Sequence, residues 1–208
     1  EHVDAIRAHG LRLEQEGQTS VHHLPAQHFD DPRPAQRFGT VLVAVRGDAT
    51  ATVMPLLRDL LHPDGCAVSC QNGIGEDTIA EAVGAGRTLG CSMIFGAMLS
   101  APGVVQALHG EDTLCLGEMS GLAQARTLAL RDLFSFCGTA TTTDTLLAYR
   151  WKKLVYNCMG NPFTLLTGLT AGELHRMPDA RRGMIAIARE VMATARAAGI
   201  EPEPVLGH

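Results

Sequence analysis

The chain has 208 residues, of which 46% are hydrophobic and 19% charged, enough apolar material for a sizeable core and too much for a disordered or fibrous chain. A net charge of -5 and few aromatics (one Trp, two Tyr, six Phe) argue against a nucleic-acid surface, which carries a clustered basic footprint. The apolar runs, such as Cys91 to Leu99 with Gly96 inside it, are far shorter than the roughly 20 residues that cross a bilayer.

In chain order, residues 1 to 9 predict a helix end stopped by Gly10. An alternating run follows, Leu11, Leu13 and then Val21 to Leu24, which predicts a short hairpin around Glu16-Gly17. The chain begins at Glu1 inside a helical pattern and ends on Pro202, Pro204 and Gly207 just after a helix, so both ends look cut. Residues 25 to 37 are Pro-rich and polar, a loop. Val41 to Val45 is a short continuous apolar run rich in β-branched residues, expected to be a central parallel strand buried on both faces, with Arg46 at its C-terminal end. Asp48 is placed to cap a helix over about 50 to 61.

A second strand and helix unit runs from Cys66 to Cys70, through Gln71-Asn72-Gly73-Ile74-Gly75, into a helix from about Glu76 to Val83. Ligands of open parallel α/β sheets bind beyond the carboxyl ends of the strands, where glycine lets the backbone come close. The plain alternative is that Asn-Gly is a common turn pair. A third strand at about 88 to 95 precedes two antiparallel-looking strands, 104 to 109 and 113 to 117. A helix over about 121 to 136 and a strand over 138 to 142 complete this part. From Asp144 the strand signals stop, and helices are expected over about 145 to 167, 171 to 174 and 179 to 198. The expected architecture is therefore α/β over 1–143 and all-α over 144–208.

Six cysteines, at 66, 70, 91, 115, 137 and 158, form no CxxC pair and read as buried thiols of a reducing cytoplasm. Nine histidines show no HxxxH or HExxH spacing, so no metal site is expected. Met54, Met93, Met98, Met159, Met184 and Met192 read as core filler and Trp151 as a core anchor.

The most informative stretch is Trp151 to Pro162, WKKLVYNCMGNP. Lys153, Asn157 and Asn161 are spaced by four and share one stripe of a helix. Leu154, Val155, Tyr156, Cys158 and Met159 fill most other positions, so the helix is expected to be largely buried and its polar stripe to meet hydrogen-bonding groups or a ligand. One cation and two amides in line suit a small oxygen-rich anion such as a keto acid. An ordinary helix with a snorkelling lysine would show the same residues.

Taken together, the opening HVDAIRAHGLRL, VLVAVR, QNGIG at 71 to 75, PGVV at 102 to 105, LGE at 116 to 118, WKKLVYNCMGNP, GEL at 172 to 174 and REVMATARAAGI at 189 to 200 resemble, in order and spacing, the ketopantoate reductase (2-dehydropantoate 2-reductase) family. The resemblance implies a Rossmann-like NADP-binding domain joined to a helical substrate and dimerisation domain, each incomplete here, in a cytoplasmic homodimer. It implies NADPH-dependent reduction of 2-dehydropantoate to pantoate, feeding pantothenate and coenzyme A synthesis. Lys153 would protonate the substrate carbonyl oxygen, Asn157 and Asn161 would hold the substrate's hydroxyl and carboxylate, and Asn72, with Gln71 and Gly73 beside it, would stand at the cofactor. A cation at the carbonyl oxygen stabilises the developing alkoxide more than the ground state, and burial of the lysine would ease its proton transfer.

Three departures accompany the resemblance. The G-x-G-x-x-G segment would lie before Glu1, the family's later serine and glutamate would lie after His208, and Arg46 stands where the family commonly has a lysine near the cofactor phosphates or adenosine. Ala107 stands where a histidine often follows Pro-Gly, with His109 nearby, and neither is given a role; Glu190, on a family glutamate, reads as a salt-bridge residue. Two other readings share these residues: a paralogue acting on another 2-keto or 3-keto acid, and a non-catalytic nucleotide-binding protein.

Overall fold

The computed structural model describes residues 1–108 and 113–204, so His109 lies outside the described residues. Helix α1 (His2–His9) ends at Gly10, and a hairpin follows, β1 (Leu11–Gln15) and β2 (Gln18–His22). Its turn is Glu16-Gly17, with φ of 52° and 74°, the positive pair that matches the twist of a tight hairpin.

After the loop come β3 (Phe38–Val43), α2 (Thr50–Leu60), β4 (Leu61–Ser69) and α3 (Glu76–Val83). Next are β5 (Thr88–Ile94), β6 (Ala97–Ala101), β7 (Val104–Ala107), β8 (Thr113–Glu118), α4 (Ala125–Phe134) and β9 (Thr139–Thr143). Helices α5 (Leu146–Thr167), α6 (Ala171–Arg176) and α7 (Pro178–Ala197) complete the described chain.

The strands form two sheets. Five of them, in the order β3-β4-β5-β8-β9, make a mostly parallel sheet in which only the β5–β8 pairing is antiparallel. The other four, β2-β1-β7-β6, make a smaller sheet to one side. The strands expected there, β7 and β8, are therefore not partners: β7 pairs with β1 and β6, whereas β8 pairs with β5 and β9. Their closeness in sequence suggests a hairpin, but the register is decided by more distant strands.

The strand expected at 41–45 has other bounds: β3 starts earlier and stops at Val43, and among the described residues it pairs with β4, with Leu42 and Phe38 exposed. Asp48 does not cap α2; it lies in a short 3-10 turn, Gly47–Ala49, and pairs with Arg46, while Thr50 donates to the Gly47 carbonyl at 2.9 Å. Cys137 and Met98 are exposed, against the reading of the thiols as buried and the methionines as filler, and Trp151 is only half-buried.

Alternation along the strands gives the large sheet two cores. Cys66, Val68, Leu89, Cys91, Leu114 and Leu116 pack under Leu130 of α4. Val43 and Ala67 pack against Met54 and Leu57 of α2 and Ile79 of α3. A third cluster, Val155, Met159 and Met184, joins α5 to α7. Only Leu146, Arg150, Val155 and Met159 of α5 are buried, so the helix covers one face rather than being largely buried.

The root of α5 is set into the sheet. Gly90 of β5 and Gly117 of β8 are direct cross-strand partners, and Leu146 sits over both. A β-carbon on Gly90 would come within 2.7 Å of the Leu146 side chain and of Glu76 Oε1; one on Gly117 would come within 2.9 Å of Leu146 Cβ. This notch lets the helix begin directly against the strands, level with the last residues of β3 and β4 and four residues before the end of β5.

Candidate active site

The loops leaving β3, β4 and β5 carry most of the residues singled out in the sequence, and α5 lies beside them. What holds the two together is Arg150, one turn before Lys153. Its guanidinium is 1% exposed and forms a salt bridge with Glu76, which is fully buried, through Nε at 2.7 Å and also through Nη2. Nη1 donates to the Gln71 carbonyl at 2.9 Å and Nη2 to the Ser69 carbonyl at 2.8 Å. A planar fork of donors can serve one carboxylate and two main-chain oxygens at once, which an ammonium could not do as well. Arg150 thereby fixes the end of β4, the start of α3 and the intervening loop 70–75 relative to α5.

The loop is braced from the other side by Gln71. Its amide nitrogen donates to the Val45 carbonyl at 2.6 Å and to Thr50 Oγ1 at 2.8 Å, tying loop 44–49 to loop 70–75. Gly73 has φ 88°, a conformation that L side chains rarely adopt, and it leaves the backbone bare beside Asn72.

Two cavities meet at Asn72. The first, of about 620 Å³, is lined by Asn72, Ser92, Met93, Phe95, Lys153 and Asn157, with Ile94, Tyr149, Lys152 and Tyr156 completing the wall. The second, at the ends of β3 and β4, is lined by Val45, Arg46, Gly47, Asp48, Gln71 and Asn72. The structure thus gathers Asn72, Lys153 and Asn157 around one space. Asn161, a turn further along α5, is exposed and does not line it. Arg46 lines the second cavity but is 87% exposed and holds Asp48 at 3.0 Å.

Both adjacent lysines line the cavity, but Lys152 is paired with other groups. It lies 3.4 Å from Glu203 and over the ring of Tyr149. Lys153 turns to the cavity, half-buried, and its ammonium donates to the Met93 carbonyl at the end of β5. Burial pushes its pKa below the ordinary lysine value, and the positive charge of Arg150 pushes it the same way. A lysine so placed gives up a proton more readily than one in water. The site can therefore hold a small polar molecule between two amides and a proton donor.

Arg150 and Glu76 are the residues that the motif reading missed. Arg150 lies three positions before Lys153 and so on the same face of the helix, a signal present in the sequence. Glu76 lies 74 residues from Arg150 in sequence, and no local pattern links them. Ser92, also in the cavity wall, had no motif to mark it.

The chain and its fold are similar to those of known proteins. Residues 1–121 match the family model described as ketopantoate reductase PanE/ApbA, and residues 145–206 match its C-terminal counterpart. The chain is 28% identical over 220 residues to the 2-dehydropantoate 2-reductase of Mesorhizobium japonicum, covering 95% of this chain and 65% of that protein. It is 30% identical over 155 residues to the enzyme of the same name from Archaeoglobus fulgidus, covering 73% and 51%. Among solved structures, 2-dehydropantoate 2-reductase from Geobacter metallireducens superposes with a TM-score of 0.86 at 27% identity, covering all of this chain and 69% of its own. A D-mandelate dehydrogenase solved with NADH and anilino(oxo)acetate shares the fold, with a TM-score of 0.86 at 20% identity and coverages of 97% and 65%. This chain thus spans 51% to 69% of the length of these relatives, and on the match across both of its parts it belongs to the ketopantoate reductase family.

Proposed function

We propose that the protein to which this chain belongs reduces 2-dehydropantoate to pantoate with NADPH, supplying pantothenate and coenzyme A synthesis in the cytoplasm. The observation that carries this reading is the shared cavity of Asn72, Lys153 and Asn157, with a half-buried ammonium at its wall. Lys153 holds the substrate's carbonyl oxygen and gives it a proton as it becomes an alkoxide. Asn157 binds the substrate's polar end, and Asn161 joins it from the next turn when the cleft is occupied.

The residues fit a nicotinamide dinucleotide. The second cavity lies beyond the strand ends, where such cofactors bind in parallel sheets, and Gln71 offers it a buried side-chain oxygen with no partner among the described residues. Gln71, Asn72 and Gly73 would hold the nicotinamide end, and Arg46 the phosphates or adenosine after leaving Asp48. When bound, the cofactor supplies the hydride. Asn72, in the wall of both cavities, stands where the two ligands meet.

In this reading residues 1–143 form the NADP-binding domain and 144–208 the helical domain for substrate binding and dimerisation, and the assembly is a homodimer. A second reading is favoured by the aromatic wall of the first cavity, Phe95, Tyr149 and Tyr156: a bulkier 2-keto acid, reduced with NADH. The deciding experiment mixes the full-length protein with NADPH or NADH and either 2-dehydropantoate or phenylglyoxylate and follows the loss of cofactor absorbance. Turnover of 2-dehydropantoate with NADPH supports the first reading, turnover of the aromatic acid alone the second. Cofactor binding without turnover of either acid would leave a nucleotide-binding protein.

A further inference from the structure

Among the described residues, two buried side-chain polar atoms have no hydrogen-bond partner, Gln71 Oε1 and Ser92 Oγ. Ser92 is 2% exposed and lies in β5, two residues after Gly90. Strand alternation therefore turns its hydroxyl to the side on which Glu76 and Leu146 cover Gly90, the side of α5. Ser92 is one of the residues that line the Lys153 cavity. The carbonyl that receives the Lys153 ammonium belongs to the next residue of β5, Met93, so the ammonium is anchored one residue along the strand from Ser92.

A buried hydroxyl without a partner destabilises the folded protein, and it is kept where something else supplies the missing oxygen or proton. A 2-keto acid presents two neighbouring oxygens on adjacent carbons, one of the ketone and one of the carboxylate. Two donors side by side suit that pair.

We propose that Ser92 is a substrate-binding residue: its hydroxyl donates to a carboxylate oxygen of a 2-keto acid whose ketone oxygen is held by Lys153. The proposal rests on the reductase reading above and adds to it the group that recognises the acid function. It also gives the serine a role opposed to its effect on stability. Without ligand the hydroxyl is a burden; with ligand it becomes a charge-assisted hydrogen bond.

The test uses the full-length protein and its Ser92→Ala and Ser92→Thr variants, with initial rates measured against the 2-keto acid turned over and binding of oxamate, an unreactive keto-acid mimic, measured by calorimetry. Ser92→Ala is expected to raise KM and the oxamate Kd by about tenfold to a hundredfold, with kcat changed less, while Ser92→Thr stays near the parent. The ligand-free melting temperature of Ser92→Ala is expected to hold or rise by about 2 °C, because an unsatisfied group has been removed. KM and Kd within twofold of the parent would overturn the assignment and leave the reductase reading standing. A lower melting temperature with the same loss of binding would make Ser92 structural and also overturn it. If the parent neither turns over a 2-keto acid nor binds oxamate, the reductase reading and this assignment fall together.

Discussion

Two buried glutamates, each at an end of the large sheet's elements, meet an arginine in this molecule, and they do different work. Glu118, the last residue of β8, accepts from Arg126 at 2.9 and 2.6 Å and from Thr127 Oγ1 at 2.5 Å, all within nine residues. Arg126 remains 27% exposed, and the cluster pins one connection, β8 to α4. Glu76 instead meets an arginine from the helical part of the chain, with both partners out of water. The first pair secures a local turn. The second joins two halves of the chain and shapes the cavity wall that lies on either side of it. A buried ion pair gains little stability over an apolar contact, so its value here lies in direction: it specifies how loop and helix face one another.

That contrast can be broken by substitution. Arg150→Met is expected to have the largest effect, about 3 to 5 kcal/mol in urea unfolding, because it leaves Glu76 buried without its counter-charge. Adding Glu76→Gln should restore part of the loss; strict additivity would mean that the two residues do not act as a pair. Gly90→Ala comes next, at about 1 to 3 kcal/mol, since the new methyl meets Glu76 and Leu146 together. If stability is unchanged, the notch is not tight. Arg126→Ala should cost less, about 1 to 2 kcal/mol, because Thr127 still serves Glu118 and the site is near water. A loss equal to that of Arg150→Met would erase the distinction between the local and the joining pair.

The smallest effect is a slope with pH. Burial lowers the pKa of Lys153 in the folded chain below the ordinary 10.5, so between that lowered value and 10.5 the unfolded chain binds the proton more tightly. Stability is therefore expected to rise with pH through that window on account of this residue, and Lys153→Met should remove the rise. An identical pH profile of unfolding in parent and variant would show Lys153 to be as solvated as any surface lysine.

Much of this was legible in the sequence where the pattern is local. The hairpin announced itself through Glu16-Gly17, and the helix bearing Lys153 through its spacing of four. The break after Thr143, from strands to helices, followed from the loss of β-branched runs. What was not legible is what depends on distant partners. β7 and β8 are near neighbours in the chain yet belong to different sheets. The helical phase of Arg150 is legible but its role is not, because nothing nearby marks a counter-ion 74 residues upstream. Asn161 keeps the helical phase of Lys153 and Asn157, but periodicity cannot say where along the helix the cavity stops.

The notch under Leu146 and the fork of Arg150 both grip α5 within its first turn and a half. Lys153 stands about 4.5 Å along the axis from Arg150, and Asn161 about 16.5 Å. Any tilt of the helix about its gripped root would carry Asn161 nearly four times as far as the lysine. The rod is thus a lever with its fulcrum in the sheet: the proton donor rides close to the pivot, where position is precise, and the outer amide rides at the tip, where reach is greatest.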